Sequence, residues 1–402
     1  MPLRGSCRPL GFALLIAAAV VGSAAVVNAK RAVFGLVIGT NRSHDPKVKS
    51  LRYADDDAVQ NAMLLAEFGG RVVLLAELDP RSRALYPNVT ATPPTKAAVR
   101  QALTQLNKLM SSEKRAGNEP ILYLFYSGHG DVENNEGHVN LQDGRLRRHE
   151  FLQLLRRSEA AHNHVIIDAC KSYFLVFARG TGGKRSPLVA PLVDAEPEEL
   201  PKNTGFLLST SAAVDSHEWE AFQGGVFSHE VRSALRGAAD HDLDGKVTYE
   251  EAGAFVWLAT RAVLNARVRP SVFTRPPVGR RAEDAVLMQV STARGDRLHV
   301  EVGSRDHLYL EDESGLRLAD FRASPQQKMV LVLPTRRPLF VRNADADEEV
   351  VLPAGETIRL AALSRQKTTV AKRGAEHVAF RKLFSSPFTA ASIAAYRSRP
   401  PQ

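Results

Sequence analysis

The segment ILYLFYSGHGD, residues 121–131, joins an apolar run to a turn made of Ser127, Gly128, His129 and Gly130. An unbroken apolar run of this kind is typical of a strand buried on both faces, as in a parallel sheet covered by helices. The turn then lies at the carboxyl end of the strand, which is the edge where open α/β sheets bind ligands. The segment therefore predicts a parallel sheet covered by helices, with a ligand-binding site at the carboxyl edge of that sheet.

Similar apolar runs recur along the chain and alternate with helical patterns. Strands are predicted over 33–40, 71–77, 164–170 and 205–211, and helices over 55–68, 95–110 and 149–157. This alternation predicts an α/β domain over residues 30–266, with a mostly parallel sheet between two layers of helices. Segment 178–204 is rich in Gly, Pro and charge and is predicted to be an exposed loop.

The pattern changes after this domain. Residues 267–284, which are rich in Pro and Arg, are predicted to be a linker. Residues 285–364 alternate apolar and polar side chains between turn signals, which predicts a small antiparallel β-rich domain. Residues 365–402 carry eight Lys or Arg and one acid, which favours a solvated basic tail, with attachment to an anionic surface as the alternative.

The first residues resemble a targeting segment. Arg4 and Arg8 precede an apolar run that ends in small residues around Ala29, so residues 1–29 are predicted to be a secretory signal peptide. We expect export to the periplasm or the medium, with an uncleaved membrane anchor as the alternative. No other segment is apolar enough to span a bilayer, and no nucleic-acid-binding module or folded basic face is recognisable, so a nucleic-acid partner is not expected.

Loss of residues 1–29 would remove Cys7 and leave Cys170 as the only thiol. Such a thiol forms an intermolecular bridge, reacts, or is inert and buried. Its neighbourhood favours reaction, because Cys170 ends a second buried strand forty-one residues after His129. If the strands are neighbours, imidazole and thiol converge, and the pair can transfer acyl groups. Backbone N–H groups near Gly130 and at Cys170 would stabilise the oxyanion. His138 is the rival histidine but lacks the Gly-His-Gly setting.

Six segments resemble the caspase-like cysteine peptidases, in particular their bacterial and metacaspase-like branch. They are GLVIGTN (35–41), LRYADDDA (51–58), YSGHGD (126–131), IIDACKS (166–172), LLSTSAAVDSHEWE (207–220) and GGVFSHEVRSAL (224–235). The resemblance covers about residues 33–265 and implies a three-layer sandwich with a sheet of about six strands and a His129/Cys170 dyad. After the cysteine, KSYFLVFARG replaces the more usual Arg-Ser-Gly, which leaves the shape of that loop open.

The resemblance also implies a preference for basic substrates. Caspases that cleave after Asp have Gln two residues before the cysteine, whereas metacaspases have an acid there, and this chain has Asp168. By the same resemblance Asp57 lines the pocket, with Asp55 as its rival; the other interpretation of Asp57 is an acid favoured by a helix dipole. Glu218 is a third candidate, although a solvated loop charge is the commoner role. Acids in a partly desolvated pocket predict protein or peptide substrates cut after Arg or Lys.

Residues 240–251, DHDLDGKVTYEE, match an EF-hand calcium loop. Gly245 allows the sharp turn at position six, and helical patterns flank the loop. The predicted ligands are Asp240, Asp242, Asp244, the Lys246 carbonyl, Thr248 (directly or through water) and a bidentate Glu251. No second loop is present to pair with it, which favours a structural Ca²⁺ site over a sensor. The other interpretation is an acidic turn without metal.

The predicted function is therefore that of an exported cysteine endopeptidase with a calcium site and no organic cofactor. The alternative is a catalytically silent caspase-like adaptor that binds partners through its β-rich domain and basic tail. Silent relatives usually lose the His or the Cys, and both residues are present here. The sequence leaves the oligomeric state open.

Overall fold

A computed structural model describes residues 29–176, 200–209, 218–263, 269–301, 304–368 and 382–399. The predicted signal peptide, apart from Ala29, and most of the predicted loop 178–204 lie outside these residues. Export and its alternative, the uncleaved anchor, therefore stay predictions. Within the described ranges, none of the helices combines the length and the apolar character that crossing a bilayer requires.

Twelve described strands precede residue 276. In chain order they are β1 (Arg31–Gly39), β2 (Arg71–Ala76), β3 (Glu119–Ser127), β4 (Gly130–Glu133), β5 (Glu136–Leu141), β6 (Gly144–Arg147), β7 (His162–Asp168), β8 (Thr204–Ser209), β9 (Glu218–Trp219), β10 (Gly224–Gly225), β11 (Val247–Thr248) and β12 (Val272–Arg275). Six of them form the central sheet in the order β12–β8–β7–β3–β1–β2. All neighbours are parallel except β12, which is antiparallel to β8. The predicted, mostly parallel sheet of six strands is confirmed.

Helices cover both faces of this sheet. They are α1 (Ala54–Glu67), α2 (Pro80–Leu85), α3 (Lys96–Arg115), α4 (Arg148–Arg156), α5 (Tyr173–Val176), α6 (Val226–Ser233), α7 (Tyr249–Thr260) and α8 (Ala390–Arg397). Alternate side chains of β3 enter two different cores: Tyr123 and Phe125 pack with α1, α6 and α7, whereas Leu122 and Leu124 pack with α3, α4 and α5. This alternation across a buried strand produces the predicted three layers.

The segment predicted to be a linker, 267–284, is not one throughout. Within it, Val272–Arg275 forms β12, the edge strand of the central sheet. Val272 is buried, and its neighbours along the strand are partly exposed. Because the strand is only four residues long and follows an Arg/Pro-rich run, its pairing with β8 left no clear periodicity in the sequence.

The C-terminal region is β-rich, as predicted, but it shares a core with the α/β part. Its strands are β13 (Val286–Met288), β14 (Arg297–Val300), β15 (His307–Asp312), β16 (Arg317–Arg322), β17 (Met329–Val332), β18 (Leu339–Asn343), β19 (Glu348–Leu352), β20 (Thr357–Arg359) and β21 (Gln366–Lys367). Eight of them form a five-stranded sheet, β16–β15–β18–β19–β21, and a three-stranded sheet, β17–β14–β20, while β13 pairs with β11. Phe321 and Leu331 belong to the same apolar cluster as Val231 of α6 and Val256 of α7.

The basic tail is not solvated throughout, which corrects the prediction for 365–402. Helix α8 packs on α7, with Ile393 and Tyr396 buried. The Arg397 guanidinium donates to both carboxylate oxygens of Glu250, and the hydroxyl groups of Tyr396 and Thr274 lie 3.1 Å apart. Residues 369–381 lie outside the described part.

Helix α6 is attached to the C-terminal region by buried polar contacts. Asp320 accepts hydrogen bonds from Arg317 Nε at 2.6 Å, and its oxygens lie 2.7 Å from His229 Nε2 and 2.6 Å from His307 Nε2. The backbone N–H of Asp320 donates to Ser233 Oγ at 2.9 Å. Burial raises the pKa of Asp320, but Arg317 and the two imidazole contacts outweigh it and hold that pKa well below its usual range. Asp320 is therefore an ionised, fully buried group between α6 and β16.

We expect Asp320→Asn to lower the free energy of unfolding by about 3–5 kcal/mol, because it leaves the guanidinium of Arg317 buried without a counter-charge. The matched control is Asp284→Asn, which removes another Asp from an i,i+3 pair with Arg, exposed at the surface. That change should leave the free energy of unfolding nearly unchanged, because the pair is exposed to solvent. Urea unfolding followed by circular dichroism measures both, and equal losses would contradict the structural role of Asp320.

Candidate active site

The parallel register of β3 and β7 places the two predicted catalytic residues at the same level of the sheet. Ser127 is the register partner of Asp168, and His129 and Cys170 each follow two residues later. The backbone N–H of Gly128 donates to the Asp168 carbonyl at 3.1 Å, so the two chains stay joined beyond the last register pair. Cys170 is buried, with 9 % of its surface exposed. The structure thus brings the two strand ends together, as the sequence predicts.

The turn that carries His129 is fixed by its backbone. The His129 carbonyl accepts from the Asn140 N–H at 2.9 Å and lies 2.9 Å from the Tyr126 hydroxyl, which also lies 2.7 Å from the Asn140 carbonyl. A Cβ atom on Gly128 would lie 2.5 Å from that hydroxyl and 2.7 Å from Thr40 Cγ2. Only glycine fits there, which explains the first glycine of the Gly-His-Gly motif.

Gly130 begins β4 and packs against the cysteine strand end. It pairs with Val139 of β5, and a Cβ atom on it would lie 2.5 Å from the Cys170 carbonyl oxygen. Asp131 and Lys171, the next residue on each side, form an ion pair of 2.5 Å. The three-stranded sheet β4–β5–β6, which sequence patterns did not predict, therefore holds the two strand ends against each other.

His138, the rival histidine, lies inside this small sheet. It is 4 % exposed and is the register partner of Asp131 on β4. Burial lowers its pKa, and the neighbouring Arg145 lowers it further, so the imidazole is neutral at pH 7. These contacts give His138 a packing role in the β4–β5–β6 sheet.

The three acids proposed for substrate recognition converge on the hairpin formed by β9 and β10. A Cβ atom on Gly225 would lie 2.5 Å from Asp168 Oδ2 and 3.0 Å from Asp57 Oδ2. Glu218 is the register partner of Gly225 across the hairpin. Asp168 and Glu218 are partly exposed, whereas Asp57 is buried. We call this group of Asp57, Asp168, Glu218 and Gly225 the acid cluster.

Asp57 is held from two sides. Its Oδ1 accepts from Arg232 Nη1 at 2.9 Å and its Oδ2 from the Gly225 N–H at 2.8 Å. Burial raises the pKa of Asp57 to about 7, although Arg232 lowers it and the charge of Asp168 adds to the rise. Asp57 is thus more than an acid at a helix N-terminus: it is paired with a fully buried arginine.

Asp168 is positioned by Ser228, near the start of α6. Its Oδ2 accepts from the Ser228 hydroxyl at 2.7 Å and from the Ser228 N–H at 3.1 Å. The same hydroxyl lies 3.3 Å from Ser127 Oγ, so it donates to Asp168 and accepts from Ser127. Burial raises the pKa of Asp168, and the two Ser228 hydrogen bonds oppose the rise. Ser228 therefore links the histidine turn to the acid before Cys170.

Glu218 is not a solvated loop charge. Its carboxylate accepts from the N–H groups of Arg52 at 3.0 Å and Tyr53 at 2.9 Å, directly before α1. Burial raises its pKa, and the charge of Asp168 contributes to the rise.

Asp55, the rival of Asp57, has a different role: it accepts hydrogen bonds from Asn41 Nδ2 at 2.7 Å and from the Asp79 N–H at 2.9 Å. Asp55 therefore joins two loops.

Residue patterns missed Ser228 and Arg232, which support the acid cluster. They are four apart in α6 and so share one face of the helix, while His229 and Ser233 face Asp320 on the other. This double i,i+4 spacing within VFSHEVRS was the available signal. Polar residues on two faces of a fully buried helix indicate partners on both sides.

The EF-hand-like loop has the predicted turn, and three of its acids converge. Carboxylate oxygens of Asp240, Asp242 and Asp244 lie within 4.8 Å of one another, and Gly245 has a φ of +79°. Glu251 is already engaged: it accepts from Thr248 N–H at 2.8 Å and lies 2.7 Å from His241 Nδ1. Val247, at position eight, pairs with Met288 of β13, where a second EF-hand would pair in a sensor.

Two further predicted ligands of this loop have partners in the structure. The Lys246 ammonium lies 2.9 Å from Asp244 Oδ2, and the Thr248 hydroxyl donates to Glu251 Oε2 at 2.8 Å. Asp240, by contrast, is 5 % exposed, and its Oδ1 has no hydrogen-bond partner among the described residues. A buried carboxylate oxygen without a donor fits a cation at this position.

We expect His129→Gln to slow alkylation of Cys170 by iodoacetamide at pH 6.5 about tenfold or more, because the thiolate loses its imidazolium partner. His138→Gln is the matched control and should leave the rate unchanged. Peptide mass spectrometry measures modification at Cys170, and thermal melts verify that both variants fold. Equal rates in the two variants would contradict the pairing of His129 with Cys170.

The caspase domain family, Peptidase_C14, matches residues 33–252, more than half of the chain. The comparison of this chain with curated proteins found no match. Similar solved structures include caspase-1 from Spodoptera frugiperda (14 % identity, 63 % of this chain and 88 % of that chain, TM-score 0.34) and the Drosophila initiator caspase Dronc (10 % identity, 61 % and 78 %, TM-score 0.34). The matched range contains both strand ends and the whole predicted EF-hand loop, residues 240–251. By this match, the chain belongs to the caspase domain family.

Proposed function

We propose that this chain is a cysteine endopeptidase that uses Cys170 as nucleophile and His129 as general acid and base. The observation that carries the proposal is the β3–β7 register, which sets both residues two positions beyond a paired Ser127 and Asp168. The caspase domain supports a cysteine peptidase-like function independently of this geometry.

The reaction follows from the two side chains. The Cys170 thiolate attacks the peptide carbonyl carbon, and His129 protonates the departing amine nitrogen as the C–N bond breaks. The product is a thioester between Cys170 and the acyl half of the substrate. His129 then removes a proton from water, the hydroxide attacks the thioester, and the thiolate leaves. Backbone N–H groups near Gly130 and at Cys170 are the proposed donors to the oxyanion.

The acid cluster supports cleavage after Arg or Lys. Asp57, Asp168 and Glu218 lie around Gly225, and of these three acids Arg232 pairs with Asp57. Asp168 is the partly exposed member closest in sequence to the thiol. Burial disfavours the ionised form of these carboxyl groups. A guanidinium or ammonium group on the substrate would supply the counter-charge that stabilises it.

The adaptor alternative is a second candidate because of one observation. Asp57 already has an internal cation, Arg232, at 2.9 Å, so part of the negative charge of the acid cluster is compensated without substrate. Such an adaptor would bind partners through its β-rich domain and basic tail, and it would also hold a basic segment at the acid cluster without cutting it. Both proposals predict binding of basic peptides, and only the first predicts turnover.

We expect kcat/KM for an arginyl peptide to exceed that for the matched citrullyl peptide by about a hundredfold, because citrulline has the same shape without the charge. Asp168→Asn should reduce this ratio about tenfold or more. Fluorogenic peptides with arginyl, citrullyl and aspartyl residues before the scissile bond measure it. Faster turnover of the aspartyl peptide would contradict the proposed specificity.

Cys170→Ala is the control for the chemistry, since it must abolish turnover while basic peptides still bind. Binding without turnover by the unaltered protein would favour the adaptor.

The ratio of kcat/KM for the arginyl peptide to that for the citrullyl peptide should also rise between pH 6 and pH 8, because Asp57, with a pKa of about 7, gains its charge in that interval. The pH dependence of the dyad affects turnover of both peptides equally, so it drops out of this ratio.

We also propose that residues 240–251 bind Ca²⁺. The unpartnered, buried Asp240 Oδ1 and the convergence of Asp242 and Asp244 on it support this site. Calcium bound by Glu251 would replace that residue's contacts with His241 and Thr248. Since the loop joins the helical segment 226–238 to α7 and pairs with β13, the ion would stabilise the junction of the two regions.

We expect millimolar Ca²⁺ to raise the thermal midpoint, because a ligand that binds only the native state stabilises it by about 2.7 kcal/mol at one hundred times its Kd. Asp240→Asn should abolish the increase, while Asp284→Asn, a surface acid outside the loop, should preserve it. Differential scanning calorimetry in metal-stripped buffer, with Mg²⁺ at equal concentration for comparison, is the measurement. No change in the midpoint with Ca²⁺ would contradict the site.

A further inference from the structure

A basic cavity lies at the amino edge of the central sheet, opposite to the candidate active site. It is an open cavity of about 240 Å³, and its walls include the first residues of β1, β3 and β7. A seven-residue strand such as β7 spans roughly 20–25 Å, so the cavity is separated from Cys170 by about that distance. Nothing in the proposed peptidase mechanism uses it.

Two arginines face this cavity without a carboxylate partner. Arg31, at the start of β1, donates to the amide oxygen of Gln289 at 3.4 Å, and Arg280 also lines the cavity. Among the described residues, neither guanidinium has a carboxylate within 4 Å, in contrast to the buried Arg232 and Arg236, which are paired with Asp57 and Glu67. Glu119 is the one acid that lines the cavity, and it lies 3.4 Å from His162 Nε2.

A buried imidazole adds a hydrogen-bond donor. His164 is 2 % exposed, and its Nδ1 lies 2.7 Å from the hydroxyl of Tyr249, which is fully buried. That hydroxyl has no other acceptor among the described residues, so it donates to Nδ1, and the proton of the neutral ring is on Nε2. This Nε2 is buried and has no hydrogen-bond partner in the described part of the chain.

The cavity is lined by more cationic than anionic side chains. Burial lowers the pKa of His162 and of His164, and Arg31 lowers both further. At His162, Glu119 opposes this effect and Arg280 adds to it. Each of these effects requires the cations to lie close to the rings. Lys246 also lines the cavity, but its ammonium is paired with Asp244. Among the described residues, the cavity is therefore lined by two guanidinium groups without a carboxylate partner, one N–H without a hydrogen-bond partner and a single acid.

We propose that this cavity binds a tetrahedral oxyanion of the phosphate class, held by Arg31, Arg280 and His164 Nε2. Guanidinium groups match phosphate oxygens in a bidentate manner, and a buried N–H supplies a directional third contact. The cavity is larger than the volume of a single ion, so free phosphate and a small phosphomonoester are both candidates. The proposal concerns binding only and stands whether or not the chain is a peptidase.

Isothermal titration with inorganic phosphate, and separately with glycerol phosphate, tests the proposal in metal-stripped buffer of constant ionic strength. We expect saturable binding of at least one of the two, and the tighter ligand distinguishes the free ion from a phosphomonoester. Arg31→Gln and Arg280→Gln should each raise Kd about tenfold, because each removes one charged contact. Arg100→Gln, at an exposed site on α3, loses the same charge and should leave Kd unchanged.

A second measurement does not depend on substitutions. Bound phosphate should raise the pKa of the His164 imidazole, because the anion stabilises its protonated form, and proton NMR of the ring during a phosphate titration detects this change. The proposal is overturned if neither ligand binds saturably, or if Arg31→Gln and Arg280→Gln bind as tightly as Arg100→Gln. An unchanged His164 signal at saturating phosphate would also overturn the assignment of His164 as a ligand.

Discussion

The parallel pairing of β3 with β7 is the constraint on which the site depends. Seven consecutive register pairs, from Ile121 with His162 to Ser127 with Asp168, fix the relative height of the two strand ends. Because both strands are buried on both faces, a slip by one residue would turn every side chain toward the wrong layer. The apolar cores therefore keep the strand ends before His129 and Cys170 at the same height along the sheet. The turns after the strands have only to bridge the distance between the two side chains.

Helix α6 connects this pair to the rest of the molecule. One face carries Ser228 and Arg232, which hold Asp168 and Asp57; the other carries His229, whose ring stacks on Phe222 with centroids 3.8 Å apart and contacts Asp320. The same buried helix therefore contacts both the acid cluster and the C-terminal sheet. Together with the shared apolar cluster, these contacts join the β-rich region to the α/β region.

Local patterns predicted those parts of the molecule that lie within one continuous segment. The five longer strands of the central sheet, the Gly-His-Gly turn and the twelve-residue loop from Asp240 to Glu251 each follow from periodicity or from spacing within a few residues. Strand β12 and helix α8 were missed for the opposite reason. Each is short and lies in a segment rich in basic residues, and each is stabilised by a distant partner: β8 for β12, and Glu250 of α7 for Arg397.

Residue patterns alone were enough to select the candidate residues His129 and Cys170, their strand-end positions and Asp168, because these depend on a local alternation of apolar strands and turns. Which charges meet depends on the tertiary fold. Arg232 reaches Asp57 across 175 residues, His229 reaches Asp320 across 91, and Arg31 and Arg280 share one cavity. The physical reason is that a buried charge is stable only beside its partner, and that partner is chosen by packing in three dimensions and not by sequence spacing.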